Sequence, residues 1–500
     1  MEQHKMIIGG EAVAAVSANW ETVIDPATEE AIAEVPQADY ADVNKAVEAA
    51  KQAFPSWSSL SPSERSTLLY KLANALEAKA ETIAQTESLN VGKPIKLAAN
   101  GDIPFAIDNI RYFAAQARVV EGIASGEFVP GYTSTIRREP IGVVASIAPW
   151  NYPIMMAAWK IAPAVAAGNT VVIKPAPQTP LTTIMLAQTA LEVGFPPGVI
   201  NVVTGKGPGV GEPLVNHADV RMVSFTGSTR TGKRIMELAA QKVTRVHLEL
   251  GGKAPFVVFA DADIEAAARG AVVGAYINTG QDCTAATRIL VERSRYQDFL
   301  SAFTELSQQI RLGTPQAETT DMGPLISSDQ RQRVYGFVER AKADGITAHL
   351  PGGIPEGKGF FYQPTIFCQA ATQSEIMQEE VFGPVLVVNS FDSEAEAIAV
   401  ANDVKYGLAA SVWTKDSAKA WRVASALQFG TVWINDHLPW LPKCPTVALK
   451  SPASAKISHD MLLMNIQLPN TLCSTSAAQS KNPGTLQYLA MLNQLSVISD

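Results

Sequence analysis

Hydrophobic positions in the first part of the chain follow the spacing of amphipathic helices. They recur every three or four residues over 42–51 and again over 62–84, which predicts two helices. Ser61 or Ser63 is placed to cap the second helix, because a serine hydroxyl accepts from the free amides at a helix start. Residues 128–136 are rich in β-formers and contain a Pro-Gly pair, which predicts a hairpin.

After residue 141 the pattern changes to short apolar runs that alternate with helical stretches. The predicted elements are strands 142–148, 170–173, 199–203, 220–225, 255–259, 288–291, 385–388 and 411–414, and helices 155–167, 181–193, 232–241 and 264–276. Such alternation is typical of βαβ units around a parallel sheet. The length of 500 residues exceeds what one hydrophobic core usually supports, so two α/β domains are predicted.

Composition and charge narrow the class of protein. Hydrophobic residues make up 47% of the chain and charged residues 18%, which is typical of globular rather than disordered proteins. A net charge of −8 without a basic stripe argues against nucleic acid or an anionic membrane as a partner. The chain start lacks a signal-peptide pattern, and the four cysteines show neither metal-ligand nor disulfide-framework spacing. We therefore expect a cytoplasmic protein without a metal site.

Two residues are candidates for covalent and acid–base chemistry. Cys283 follows a predicted helix and stands among small polar residues, where a thiolate can act as a nucleophile. The alternative is the commoner one, a small buried hydrophobe. Glu249 stands between two leucines before a Gly-Gly turn, where desolvation would raise its pKa and make it a general base. The alternative for Glu249 is a solvent-facing carboxylate at a strand end.

Three loops that follow predicted strands contain further candidates. The turn with Gly227, Ser228 and Thr231 joins a strand to a helix, whose free amides can bind a phosphate. Asn151 follows another strand between two prolines, and Lys174 ends a third, at the edge where open α/β sheets bind ligands. Each loop alone is also consistent with an ordinary connection.

Taken together, these segments resemble the aldehyde dehydrogenase superfamily in order and spacing. The resemblance covers about residues 8–437 and rests on Asn151, Lys174, the 227–232 turn, Glu249, Cys283 and the 379–384 segment. It implies an α/β fold with a Rossmann-like cofactor domain, an α/β catalytic domain and a small β oligomerisation hairpin. The implied boundaries are 1–118 with 142–252 for the NAD(P)-binding domain, 119–141 for the hairpin, 253–437 for the catalytic domain and 438–500 for an atypical tail.

The resemblance also implies a mechanism. Cys283 attacks the aldehyde carbon, and the oxyanion accepts hydrogen bonds from the Asn151 amide and the backbone N–H of Cys283. Hydride transfer to the nicotinamide leaves a thioester, and Glu249 activates the water that hydrolyses it. The residues implied to bind the cofactor are Trp150, Lys174, Gly227, Ser228, Thr231, Leu250, Glu380 and Phe382. That cofactor is NAD; Pro177 stands where many NAD-preferring relatives have glutamate, so NADP is also possible.

The tail departs from the family pattern after Asn435. Residues 438–500 contain two of the chain's 48 acidic residues, no arginine and one glycine. They lack the Gly- and Lys-rich loop and the terminal strand that relatives usually have. The change favours a shifted reading frame near residues 438–440, and a divergent tail is the alternative. We expect a loosely packed tail and a weakened form of the homodimer or homotetramer that the family implies.

Asp282, the neighbour of the nucleophile, is the clue to the substrate. The run from Gln281 to Ala286 is similar to that of 4-aminobutyraldehyde dehydrogenases, and a carboxylate near the pocket would attract a cationic amine. The alternative is that Asp282 only shapes the loop. Betaine aldehyde and small aliphatic aldehydes remain open as substrates. Two rival functions are a CoA-acylating dehydrogenase, against which Glu249 argues, and a folded but inactive protein with an altered tail.

Overall fold

The structure, a computed structural model, describes residues 2–119, 126–129, 132–134, 138–439 and 471–474. These residues divide into two compact units: the first ends at Leu250 and the second begins at Gly251. The cofactor-binding and catalytic roles expected for the two halves are predictions that this division does not test.

The first unit contains an N-terminal set of short strands followed by helices and alternating α/β elements. Its strands are β1 (Glu2–Gln3), β2 (Met6–Ile8), β3 (Glu11–Val13), β4 (Trp20–Ile24), β5 (Ala31–Pro36), β6 (Gly126–Val129), β7 (Tyr132–Ser134), β8 (Val143–Ile147), β9 (Thr170–Lys174), β10 (Ile200–Val202), β11 (Val220–Thr226) and β12 (Arg245–Glu249). Its α-helices are α1 (Tyr40–Ser59), α2 (Pro62–Ala78), α3 (Ala80–Val91), α4 (Ile95–Leu97), α5 (Ile103–Gln116), α6 (Pro153–Ala166), α7 (Leu181–Glu192), α8 (Glu212–Asn216) and α9 (Thr229–Ala240). Two π-helical turns cover Ala98–Asp102 and Gly207–Gly211.

A seven-stranded sheet in the order β12-β11-β8-β9-β10-β2-β3 forms the centre of the first unit. Its first five strands are parallel, and β2 and β3 add an antiparallel edge. The register pairs Thr226 with Glu249 and Ile147 with Lys174, so these strands end at similar levels of the sheet. In α/β folds, ligands bind at the carboxyl edge of the parallel sheet. We therefore expect the ligand-binding residues of the first unit at this edge.

The second unit is a second α/β series with its own sheet. Its strands are β13 (Pro255–Val258), β14 (Arg288–Glu292), β15 (Ala348–Leu350), β16 (Thr365–Cys368), β17 (Val385–Phe391), β18 (Ala409–Trp413), β19 (Thr431–Ile434) and β20 (Thr471–Ser474). Its α-helices are α10 (Ile264–Tyr276), α11 (Tyr296–Gln308), α12 (Ser328–Ala343), α13 (Glu375–Gln378), α14 (Glu394–Asn402) and α15 (Ser417–Ala426). Two 3-10 turns cover Ile277–Gly280 and Arg293–Arg295.

The second sheet has the order β15-β16-β17-β14-β13-β18-β19-β20 and is parallel except for β15. Alternate residues of β13 belong to two different cores: Phe256 and Val258 pack in one, and Val257 packs in the other. A strand buried on both faces is an unbroken apolar run in the sequence, and the short run at 255–259 is the pattern that predicted this strand.

The predicted strands and helices after residue 141 are confirmed, with shifts of a few residues at their ends. The predicted hairpin is confirmed where it is described, since β6 pairs antiparallel with β7. The continuous helix predicted over 62–84 is wrong, because Lys79 ends α2 with non-helical backbone and α3 begins at the next residue. Ser61 is the cap of α2, and Glu64 completes a capping box with it.

Part of the predicted 119–141 segment and most of the predicted 438–500 tail lie outside the described residues. Four tail residues, Thr471–Ser474, form a strand parallel to β19 that the sequence pattern did not predict. Among the described helices, none is long and apolar enough to cross a lipid bilayer.

Candidate active site

The nucleophile loop, residues 277–287, contains three consecutive residues in the left-handed region near its start. Asn278 and Thr279 have φ angles of 49° and 59°, and Gly280 has a φ of 68°. Left-handed backbone costs a non-glycine residue about 1–3 kcal/mol, so neighbouring contacts must offset the strain. This turn ends α10 and leads the chain to Cys283.

Buried hydrogen bonds stabilise the turn. The Gln281 side chain donates to the carbonyl of Asn278 at 3.1 Å and accepts from the Ile326 N–H at 2.9 Å. The Thr279 hydroxyl donates to the carbonyl of Gly323 at 3.0 Å. Both hydrogen bonds to residues 323 and 326 connect the loop to the segment that precedes α12.

Two glycines allow the backbone to approach this loop closely. A Cβ added to Gly252 would lie 2.0 Å from the carbonyl oxygen of Cys283. A Cβ added to Gly280 would lie 2.4 Å from the carbonyl oxygen of Gly383. Real Cβ contacts are never this short, so both positions require glycine for the observed path. The close packing of the Cys283 carbonyl thus explains why Gly252 of the Gly-Gly turn is a glycine.

Cys283 is half-buried and belongs to no disulfide among the described residues. It packs against a small apolar cluster of Ala254, Leu408, Ala409 and Trp433. The thiol of Cys283 is therefore partly accessible, as reactive cysteines are.

Asp282 shapes the loop just before the nucleophile. One oxygen of its carboxylate, Oδ1, accepts from both the N–H and the hydroxyl of Thr284, each at 2.6 Å. His437 continues the network: its Nε2 lies 2.8 Å from the carbonyl of Thr284, and its Nδ1 lies 3.1 Å from the hydroxyl of Ser411. Burial lowers the pKa of His437 to about 4, so the ring is neutral and donates from Nε2.

In the first unit, Glu249 ends β12 with its side chain buried. Its carbonyl accepts from the Gly227 N–H at 3.0 Å, which fixes the strand end against the turn after β11. Burial raises the pKa of its carboxyl to about 8, and the nearby Lys160 ammonium opposes that rise. A carboxyl with this pKa accepts a proton readily near neutral pH, as a general base must.

Three further polar residues lie buried around Glu249, and the sequence pattern did not predict them. Lys160 of α6 donates to the hydroxyl of Ser224 in β11, and that hydroxyl lies 3.0 Å from His247 of β12. A single lysine inside the otherwise apolar helix 153–166 was the available signal. The pairing of Ser224 with His247 depends on strand register, which the sequence does not reveal.

Asn151 lies in the short loop between β8 and α6, with its side chain buried. Polar groups buried behind the loop support it: the Glu87 carboxylate accepts from the Ile154 N–H at 3.2 Å. The Lys93 ammonium lies 4.2 Å from the centre of the Tyr152 ring, a cation–π contact. These contacts hold Tyr152 and Ile154, the residues that follow Asn151, and so stabilise the loop that carries the Asn151 side chain.

The turn before α9 has the features of a phosphate-binding site. Ser228 caps the helix, accepting from the Thr231 N–H at 3.3 Å, and both side chains are exposed. A Cβ on Gly227 would lie 2.6 Å from the end of the buried Phe225 ring, so a larger residue would have to displace that ring. The positive end of the helix dipole at the start of α9 suits a pyrophosphate.

Lys174 and Leu250 lie elsewhere in the same unit. The Lys174 ammonium is buried and donates to the carbonyls of Pro175 and Gly205, at 2.8 and 3.0 Å. Burial lowers its pKa to about 8. Leu250 packs against the first turns of α9, since a Cβ on Gly232 would lie 2.5 Å from its Cδ2.

Glu380 and Phe382 belong to the second unit. The Glu380 carboxylate accepts from the Gly252 N–H at 2.9 Å, and a Cβ on Gly251 would lie 2.2 Å from it. Burial raises the pKa of Glu380 to about 7. Phe382 has a left-handed φ of 62°, and Gln330 donates to its carbonyl at 2.7 Å. Gly251 and Gly252 therefore allow close packing of the backbone against Glu380 as well as against Cys283.

The predicted site residues are divided between the two units. The first carries Trp150, Asn151, Lys174, Gly227, Ser228, Thr231, Glu249 and Leu250, and the second carries Asp282, Cys283, Glu380 and Phe382. Within the second unit, Gly251 and Gly252 bring the backbone against both Cys283 and Glu380, which are far apart in sequence.

The chain matches one protein family along most of its length. The profile of the aldehyde dehydrogenase family matches residues 13–445. The betaine aldehyde dehydrogenase of Bacillus subtilis (strain 168) is 43% identical over 446 residues, which cover 88% of this chain and 91% of the relative. The 2-aminomuconic semialdehyde dehydrogenase of Danio rerio is 44% identical over 418 residues, which cover 82% and 86%.

Solved structures agree with the fold. A variant of betaine aldehyde dehydrogenase from Staphylococcus aureus, solved in complex with NAD+, superposes with a TM-score of 0.90 at 39% identity, covering 92% of this chain and 95% of that one. An aldehyde dehydrogenase from Bacillus cereus, also an NAD+ complex, has a TM-score of 0.90 at 40% identity, covering 92% and 94%.

Proposed function

Because the chain belongs to the aldehyde dehydrogenase family, we propose that it oxidises a small aldehyde to the carboxylic acid through a thioester on Cys283. The thiolate of Cys283 adds to the aldehyde carbon, and the negative charge that develops on oxygen is stabilised by the Asn151 amide and the Cys283 N–H. A donor of this kind is typically worth about 3–4 kcal/mol of barrier. The fixed turn before Cys283 supports this role, since the amide of the nucleophile must hold its direction during attack.

Hydrolysis of the thioester is assigned to Glu249. The observation that carries this part of the proposal is the burial of the carboxyl, which raises its pKa to about 8. In its ionised form the carboxylate takes a proton from water as that water attacks the thioester carbon, and the Cys283 thiolate leaves. A solvent-facing carboxyl would be a weaker base, with a pKa near 4.

NAD+ is the proposed oxidant, and when bound it supplies the acceptor for the hydride that leaves the substrate carbon. The NAD+ complexes of the two structural relatives support this choice. We assign Gly227, Ser228 and Thr231 to the pyrophosphate, Lys174 and Glu380 to the ribose hydroxyls, and Trp150, Leu250 and Phe382 to the nicotinamide end. Because Pro177 brings no carboxylate to repel a 2′-phosphate, we expect NADP+ to be used as well, at lower efficiency.

The proposed substrate class is a small aldehyde with a cationic far end, such as 4-aminobutyraldehyde. Betaine aldehyde, in the name of one relative, is also a cationic aldehyde, which supports this class. Asp282 is buried beside the nucleophile. Burial raises the pKa of Glu380 and lowers the pKa of His437, and the Asp282 charge adds to the first shift and opposes the second. Its carboxylate thus acts on its surroundings through charge, in addition to shaping the loop.

The test is NADH formation from purified protein with 4-aminobutyraldehyde, betaine aldehyde and butyraldehyde, each with and without coenzyme A. We expect free acid as product, no stimulation by coenzyme A, and higher kcat/KM for the two cationic aldehydes. An acyl-CoA product would assign the chain to the acylating branch instead. A folded protein that forms no NADH with any aldehyde would contradict the proposed function.

We further propose a cytoplasmic homodimer or homotetramer. The name of a mouse relative, aldehyde dehydrogenase, cytosolic 1, supports the location; it is 43% identical and covers 91% of this chain. Sizing by light scattering tests the assembly, and we expect easier dissociation on dilution if residues 438–500 replace the usual terminal strand. A stable monomer would contradict the proposal.

A further inference from the structure

We infer that His247 is a positioning residue for Glu249 and that Ser224 and Lys160 fix the tautomer in which it acts. The inference rests on the proposed role of Glu249 as the base that hydrolyses the thioester. All four residues belong to the first unit and are buried. They come from α6, β11 and β12, so the arrangement depends on helix packing and strand register together.

The four polar groups form a continuous series. Lys160 Nζ lies 3.1 Å from Ser224 Oγ, and Ser224 Oγ lies 3.0 Å from His247 Nδ1. His247 Nε2 then lies 3.3 Å from Glu249 Oε1. Ser224 and His247 are direct partners in the ladder between β11 and β12, which puts their side chains side by side on one face of the sheet.

The direction of hydrogen bonding in this series follows from its first member. Burial lowers the pKa of Lys160 to about 7, and the Glu249 charge opposes that fall, so an ionised Glu249 favours the ammonium form of Lys160. An ammonium has only donors, so in this form Lys160 donates to the Ser224 oxygen. The Ser224 hydroxyl then has its proton to give to His247 Nδ1. Burial and the Lys160 charge keep the pKa of His247 well below its usual value, so the ring is neutral. With Nδ1 as acceptor, the single ring proton is on Nε2, the nitrogen that faces Glu249.

A neutral ring with its N–H toward the carboxylate favours the ionised form of Glu249. The Nε2–H has no aligned acceptor among the described residues, so at 3.3 Å its contact with Glu249 is electrostatic. His247 thereby opposes the desolvation that raises the pKa of Glu249, and it does so with a dipole rather than a charge.

Other groups on the same elements do not replace this effect. Among the described residues, Lys160 is the one charged group that shifts the pKa of His247 or Glu249. Ser146 of β8 is the next residue in the same row, paired with Ser224, and its buried hydroxyl has no hydrogen-bond partner in the described part of the chain. Ser146 therefore offers a matched control: the same residue type, equally buried, one strand further from Glu249.

The experiment compares Ser224→Ala with Ser146→Ala in the full-length protein, with NAD+ and propionaldehyde. The pre-steady-state burst of NADH reports acylation, and the steady-state rate reports hydrolysis of the thioester by Glu249. Loss of the Ser224 hydroxyl frees the ring to carry its proton on Nδ1, which turns a lone pair toward Glu249. We expect the pH midpoint of the steady-state rate to rise by about one unit in Ser224→Ala. The burst rate at a fixed pH should be unchanged, and Ser146→Ala should match the wild type in both.

A second pair of variants tests His247 itself. His247→Gln keeps an N–H near the position of Nε2 and should retain most of the wild-type pH profile, whereas His247→Leu should shift it at least as far as Ser224→Ala. Equal midpoints in Ser224→Ala and wild type, or equal shifts in both serine variants, would overturn the inference. Where the wild type gives no burst, thioester hydrolysis is followed directly in a single turnover. A wild type that forms no NADH would instead contradict the proposed function, so the two failures are distinguishable.

Discussion

The nucleophile loop and the end of β12 are fixed in different ways. Around Cys283 the backbone decides the geometry: consecutive left-handed residues, and glycines that let carbonyls approach within distances no side chain would permit. Around Glu249 the side chains decide the chemistry, through burial and a series of polar groups that ends at His247. The loop determines the position of the Cys283 side chain, and the buried polar groups determine the pKa of Glu249.

This difference predicts different sensitivities. A nucleophile needs a fixed direction of approach, and an error of about 1 Å can cost about a hundredfold in rate. A base needs a suitable pKa, and each unit of pKa corresponds to about 1.4 kcal/mol. We therefore expect added methyl groups to damage the loop around Cys283, and lost charges or hydrogen bonds to damage the surroundings of Glu249.

The largest effect is expected for Cys283→Ser. A serine hydroxyl is scarcely ionised at neutral pH, so NADH formation should fall by a factor on the order of 10³ or more. Titration calorimetry should still detect NAD+ binding with near wild-type affinity, because Cys283 is not assigned to the cofactor. Turnover at the wild-type rate would refute the thioester mechanism.

Glu249→Gln should separate the two half-reactions. The amide cannot accept the proton of the attacking water, so the steady-state rate should drop by about 10²–10⁴-fold while the NADH burst persists. Mass spectrometry of the stalled protein should find the acyl group on Cys283. A normal steady-state rate without acyl-enzyme would show that another group activates water.

Gly252→Ala tests the backbone side of the comparison. Its Cβ would meet the carbonyl oxygen of Cys283 at 2.0 Å, so the nucleophile must move, and we expect the burst rate to fall by about 100-fold. Gly209→Ala is the control, since a Cβ there meets nothing within 4 Å. Equal burst rates in both variants would mean that the loop tolerates displacement.

The pH dependence of the wild type tests the other side. Glu249 acts as a base only when ionised, and its raised pKa of about 8 means that the active fraction grows with pH through that value. The steady-state rate should therefore rise by about tenfold between pH 7 and pH 9. A flat profile over this range, with hydrolysis still limiting, would contradict the assignment of a raised pKa to the base.

The sequence predicted the two regions unequally. The strand β9 and the helix α10 follow from apolar runs and helical spacing, and family motifs pointed to Cys283 and Glu249. The left-handed turn was not predictable, because Thr279 has no preference for that region and tertiary contacts impose it.

The polar series behind Glu249 was missed for a different reason. His247 alternates with valine and leucine in β12 and looks like a solvent-facing position, although it is buried. Its partner Ser224 is more than twenty residues away, and only the register of β11 against β12 joins them. Hydrophobic periodicity contains no information about such pairings.

The smallest effect is expected for Asp282→Asn. This substitution separates two roles of one residue, the shape of the backbone loop and the negative charge. Asn keeps the oxygen that accepts from the N–H and hydroxyl of Thr284, so the loop geometry should survive while the charge is lost. If the charge attracts a cationic substrate, kcat/KM should fall severalfold for 4-aminobutyraldehyde and remain nearly constant for butyraldehyde. The size follows from a screened ion interaction of about 0–1 kcal/mol.

Ionic strength provides a second test of the charge. Added salt should narrow the difference in kcat/KM between the variant and the wild type for the cationic substrate alone. Equal loss on both aldehydes would show that Asp282 serves the backbone geometry and takes no part in substrate selection.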